Sequence, residues 1–172
     1  MRVTMMMVAA LIGSTLVISH GRAHEAAEGT KVEPALASAM KEAKISLARG
    51  LQASEKEGKA ISGKFELDGG KLQLSVYTTK GSGFFEVIVD FTNGKVLKTE
   101  PISDGEDLAA AKKQAELMVK SKHTLYALAG KAEKANPGYR VISITPDREH
   151  GEAHADLVLL KGAESKHVEE NL

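Results

Sequence analysis

The sequence predicts an α+β fold of two repeats, each a helix followed by a three- to four-stranded antiparallel sheet. Three observations predict it. Apolar residues recur at three- and four-residue intervals up to Gly58 and alternate strictly after it. Glycine-rich turns punctuate the alternating runs. The order helix, strand, strand, strand then appears a second time, at an offset of roughly eighty residues.

The chain begins with Arg2, an apolar stretch from Met5 to Ile18 and the small-residue exit Gly21-Arg22-Ala23, so residues 1–23 read as a secretory signal peptide cleaved before His24. As a helix the apolar stretch would rise about 21 Å, short of a hydrocarbon core of roughly 30 Å, and no stable membrane insertion is expected after cleavage. With no cysteine in the chain there is no lipid attachment site, no disulfide staple and no thiolate metal site. The expected location is periplasmic or secreted, in a bacterial envelope. Residues 24–33 are polar and aperiodic, a flexible mature N-terminus.

The first repeat spans residues 34–101. Pro34 suits a first helical turn, and Leu36, Met40, Ala43, Leu47 and Leu51 form one helical stripe that should end near Lys56 to Gly58. Ile61, Gly63, Phe65 and Leu67 then alternate with polar residues; Asp68-Gly69-Gly70 turns the chain, and Leu72, Leu74 and Val76 make a second strand. After Lys80-Gly81-Ser82-Gly83, a third strand puts Phe85, Val87, Val89 and Phe91 on one face. Asn93-Gly94 predicts a type I′ hairpin into a short strand from Lys95 to Glu100.

The second repeat spans residues 102–172. Ser103 and Glu106 have capping-box spacing ahead of an apolar stripe through Leu108, Ala111, Ala115, Met118, Leu125 and Leu128; one helix or two fit, ending before Asn136-Pro137-Gly138. Strands are expected from Tyr139 to Thr145, Ala153 to Leu160 and Ser165 to Asn171, with Pro146-Asp147 as a turn. Each sheet should pack one face on its helix and leave the other wet.

Composition narrows function. Lysine plus arginine and aspartate plus glutamate each total 23; the leader holds Arg2 and Arg22 and no acid, so the mature chain is slightly acidic. Nothing draws it to nucleic acid or an anionic membrane. Four phenylalanines, three tyrosines and no tryptophan also disfavour ligands held by ring stacking.

Val89-Asp90-Phe91-Thr92-Asn93-Gly94-Lys95-Val96-Leu97 resembles the closing hairpin of PepSY domains, in which a valine-aspartate pair precedes a turn and a Gly-Lys/Glu-Val segment. Ala43 to Lys56 is similar to that family's leading helix, and residues 43–98 follow its layout. Residues 122–172 resemble a degenerate second copy, in which Tyr139 to Ile144 fits the first strand and the closing hairpin is missing. The resemblance implies a PepSY/cystatin-like fold and a protein without catalytic residues or cofactor, which restrains a peptidase or binds another exported protein of the envelope.

The sharpest candidate for chemistry is Glu149-His150-Gly151-Glu152-Ala153-His154-Ala155-Asp156. If extended, it projects His150, Glu152, His154 and Asp156 from one face, where His150, Glu152 and His154 could hold zinc, copper or nickel. This envelope metal-binding reading is the alternative to protein binding. Cleavage before His24 would place an amino group beside an imidazole, a weaker copper chelate, while His123 and His167 stand alone. Gly81-Ser82-Gly83 lacks the strand-to-helix elbow of a nucleophilic serine, and no glycine loop precedes a helix able to cradle phosphate.

Overall fold

The structure, a computed structural model, describes residues 32–172. The expected leader, its cleavage point and His24 lie outside the described residues. The fold is α+β. In chain order come α1 (Pro34–Ala39), a 3₁₀ turn (Met40–Glu42), α2 (Leu47–Ser54), β1 (Lys59–Asp68), β2 (Lys71–Lys80), β3 (Gly83–Val89), β4 (Val96–Pro101), α3 (Gly105–Lys120), α4 (Leu125–Ala135), β5 (Arg140–Glu149), β6 (Glu152–Lys161) and β7 (Glu164–Asn171).

Alternation builds the strands and puts their apolar residues on one side. Leu74, Val76, Val87, Val89, Ile144, Leu157 and Leu159 are buried against Leu47 and Leu51 of α2 and Leu125, Leu128, Ala129 and Ala132 of α4, in one continuous core. The sequence suggests a separate sheet for each half. Instead all seven antiparallel strands join in the order β4-β3-β2-β1-β5-β6-β7. The junction is short, Gly63 opposite Ile144 and Lys64 opposite Ser143. Gly63 gives α2 close room there: a Cβ would stand 3.0 Å from Leu51 Cδ2, tight enough that Leu51 would have to shift. The short pairing also explains why β5 tolerates Pro146. The strand runs on through Pro146, opposite Ala155 of β6, to Glu149, so the turn expected at Pro146-Asp147 lies four residues later, at His150-Gly151.

The single leading helix expected from Pro34 is two pieces. Lys44 and Ile45 donate their backbone N–H to Phe91 O, and the Arg140 guanidinium donates to the carbonyls of Met40 (3.2 Å), Ala43 (2.9 Å) and Ile45 (2.6 Å). These remote partners satisfy backbone groups that would otherwise need a helix, and the chain re-enters helix at Ser46, whose Oγ accepts from Arg49 N. The second helical zone resolves as α3 and α4. Thr124 caps α4 by accepting from Ala127 N, whereas α3 starts at Asp104 without a side-chain cap and the Ser103 capping box does not form.

The Asn93-Gly94 hairpin also differs from expectation. Gly94 has φ 78° but Asn93 does not have the positive φ that a type I′ turn requires. Asp90 gathers the loop instead, its carboxylate accepting from Thr92 N, Thr92 Oγ1 and Asn93 Nδ2 at 2.5–2.7 Å. These bonds hold the Asp90 carboxyl below its usual range. Two-residue hairpins with both central φ positive occur at Gly69-Gly70 (55° and 79°) and His150-Gly151 (50° and 90°).

The second sheet face is not left entirely wet, because α3 crosses it. Ser62 Oγ donates to Gln114 Oε1 (2.8 Å), Lys59 Nζ donates to Met118 O (2.6 Å), and Lys113 pairs with Asp147 (2.6 Å). Ala111 and Met118 are buried beneath the helix.

Candidate functional site

The second face is mixed, with polar side chains interspersed with Phe84, Ile88 and Val158, and α3 lies over its middle. In an antiparallel ladder directly opposed residues share a face, so the register assembles the exposed remainder residue by residue. On β5, β6 and β7, Asp147 faces His154, which faces Asn171; Asp156 faces Glu169; and Glu149 faces Glu152 across the hairpin turn. His154 thus sits in the middle strand with carboxylates on both sides. Its residue is 8% exposed, and its Nε2 lies 3.1 Å from Asp156 Oδ1. Ligand atoms of Glu149, His154 and Glu169 all lie within 4.8 Å of one another.

This corner is short of positive charge. Among the described residues, the lysine or arginine that bridges to it is Lys113, on Asp147, while His150 Nδ1 stands 3.6 Å from Glu149 Oε1. Partial burial disfavours the charged form of Asp147, but hydrogen bonds from Lys113 and Arg148 N outweigh it and hold the carboxyl below its ordinary value. Asp156 goes the other way: burial raises it, Asp147 and Glu169 raise it further, and His154 offsets only part. Asp156 and Glu169 are thus like charges directly opposed, an arrangement that weakens a sheet.

Of the sequence-predicted ligands, the structure brings only His154 into this group. His150 occupies the left-handed corner of the turn, with its side chain 90% exposed. Glu152 stands opposite Glu149 and is exposed, but the grouped ligand atoms come from Glu149, on the other strand of the hairpin. His167 lies on the same face, opposite Val158, and His123 is exposed beyond α3. Glu149 and Glu169 are missed by reading the segment as one extended strand. The signal that finds them is the pair of turns, since a two-residue turn at 150–151 pairs 149 with 152 and one at 162–163 pairs 156 with 169.

A second feature of this face is a small cavity of about 130 Å³ where α3 meets the sheet, with Ser62, Lys64, Tyr77 and Thr145 below and Asp107 and Gln114 above. The Lys64 ammonium lies 5.8 Å from the Tyr77 ring centre, and Ser75 Oγ donates to Glu66 Oε1. Burial, with Glu86 and Glu66 nearby, pushes the Tyr77 hydroxyl far above its ordinary range, and burial also raises Glu86. Tyr77 is therefore a neutral wall of the cavity at any physiological pH.

The third feature is the β4 edge, one of the sheet's two edges, the other being β7. Strand β4 pairs with β3 on one side, five of its six residues are exposed, and Leu97 is 65% exposed.

Comparison with protein families, with curated proteins and with solved structures finds no match. Function must therefore be argued from this geometry. Among the described residues, no helix is long and apolar enough to cross a membrane.

Proposed function

We propose that this chain is an exported, non-catalytic binding protein of PepSY type, which takes up an extended segment of another exported protein or peptidase along strand β4. The observation that carries the reading is that edge. A terminal strand presents a row of N–H and C=O groups to any segment able to pair with it, and native proteins usually protect such edges with charge, proline or a covering element. Here Lys98, Glu100 and Pro101 occupy the far end, while the near end carries the exposed apolar side chain of Leu97. A bound segment would add its backbone hydrogen bonds to β4 and cover Leu97 with an apolar residue of its own.

The PepSY-type duplication has its own support. Strands β5, β6 and β7 begin 81 residues after β1, β2 and β3, at 140, 152 and 164 against 59, 71 and 83. The ladder irregularities keep the same interval, one between Ala60 and Ser62 and the other between Val141 and Ser143. Two copies of one unit, each with a bulge in its first strand, joined side by side through those strands, account for this repetition. The support for export is the leader-like pattern of residues 1–23: Arg2, the apolar stretch from Met5 to Ile18 and the small-residue exit Gly21-Arg22-Ala23.

The test is crosslinking in the native envelope with the wild-type chain and with Leu97→Lys, a substitution at an exposed position that should leave the melting temperature within about 2 °C. Recovery of an exported protein by the wild type and its loss in the variant are expected. Equal recovery by both would remove β4 from the binding surface.

A further inference from the structure

We propose that Glu149, His154 and Glu169 form a binding site for a divalent transition cation of the zinc class, built from three adjacent strands. The inference goes beyond the protein-binding reading and rests on separate observations. The first is the donor set. One imidazole nitrogen and two carboxylate oxygens lie within 4.8 Å of one another, contributed by β5, β6 and β7. Zinc-class ions are held at about 2.0–2.2 Å by nitrogen and oxygen donors in a tetrahedral shell, commonly with three protein ligands and water in the fourth position. Closing to that geometry asks only for movement of Glu149 and Glu169, both exposed, about a fixed His154. An imidazole favours zinc, copper or nickel over calcium and magnesium, which prefer shells of oxygen alone.

The second observation is independent of the ligand distances. The buried imidazole of His154 lies between two directly opposed like-charged pairs, Glu149 with Glu152 and Asp156 with Glu169. Each such pair weakens the ladder, and the lysine that reaches this corner is engaged with Asp147. A bound dication reverses the sign of this interaction, turning two repelling pairs into ligands and their neighbours. Asp156 Oδ1 lies 3.1 Å from His154 Nε2; with that contact kept, Nδ1 is the nitrogen left for the ion and Asp156 takes the part of the carboxylates that orient metal-bound histidines.

The site differs from the one read off the linear segment, and the difference decides the experiment. Zinc chloride is titrated calorimetrically into the tag-free mature chain, alongside Glu149→Gln, Glu169→Gln, His150→Ala and Glu152→Gln, all at exposed positions, with circular dichroism confirming the fold of each. The expected result is one zinc bound with Kd below about 10 μM, weakened tenfold or more by Glu149→Gln and by Glu169→Gln, and changed less than about twofold by His150→Ala and by Glu152→Gln. In the metal-free state Glu169→Gln should melt no lower than wild type, because it removes a repulsion, while losing the rise in melting temperature that zinc confers. Absence of wild-type binding at 10 μM, or a loss in His150→Ala equal to that in Glu169→Gln, overturns the site. Failure of β4 to capture a protein would leave these results unaffected.

Discussion

Arg140 is the residue whose role depends most on its neighbours in space. It opens β5, yet its guanidinium closes the break between α1 and α2 by donating to the carbonyls of Met40, Ala43 and Ile45, and it lies 6.0 Å from the Phe65 ring centre. A charged donor that satisfies several half-buried carbonyls contributes more than a neutral hydrogen bond, since its removal leaves acceptors without partners. Arg140→Ala should cost about 2–4 kcal/mol, read as a lower urea midpoint with an unchanged slope. Arg140→Lys should fall between, because one ammonium cannot fork toward three carbonyls. His154 shows the same dependence. Its surroundings are carboxylates from two neighbouring strands, and its own sequence neighbours Ala153 and Ala155 point to the opposite face.

Among the elements, α3 decides what the second face can do. It joins the two halves in sequence and, by crossing the sheet, covers the β2–β1–β5 centre while leaving the β6–β7 corner and the β3–β4 edge open. Its attachment is mixed: Ala111 and Met118 are buried, Gln114 meets Ser62, and Lys113 pairs with Asp147. An exposed ion pair contributes little, so the apolar contacts should dominate. Met118→Ala should cost about 2–4 kcal/mol. Amide exchange after that change should quicken first in residues 105–120 and last in β1 and β2, because helix opening breaks fewer buried contacts than separation of central strands. Uniform acceleration across the chain would show that α3 does not open on its own.

At the scale of the whole molecule, the two halves share one core. Helices α2 and α4 lie side by side on the same sheet face, and buried residues of both halves belong to one continuous cluster. The ladder between β1 and β5 is brief, so this joint packing, more than strand pairing, holds the halves together. Each half alone would expose a central strand edge and one side of its helix. Fragments 32–101 and 102–172 made separately should therefore lack cooperative unfolding, and circular dichroism should recover a native signal only when the two are mixed or linked. Cooperative melting of either fragment alone would assign each half a self-sufficient core.

What the sequence by itself determined is what local chemistry controls. Alternation from Ile61 to Val89 set the strands and their buried face, Asp68-Gly69-Gly70 and Lys80-Gly81-Ser82-Gly83 set two of the turns, and the apolar stripes marked the helical zones. Its failures fall where a partner distant in the chain competes with local preference. Phe91 and Arg140 break the leading helix, the Asp90 carboxylate redirects the Asn93-Gly94 turn, and the brief β1–β5 ladder lets β5 continue through Pro146. That last difference moved one turn and so exchanged the residues beside His154, because in a hairpin the turn position alone decides which residues face each other. The fusion of both halves into one sheet, and the passage of α3 over its second face, were decided by tertiary structure: a half-sheet can bury its edge and its helix only against another surface, and no spacing along the chain specifies which surface that will be.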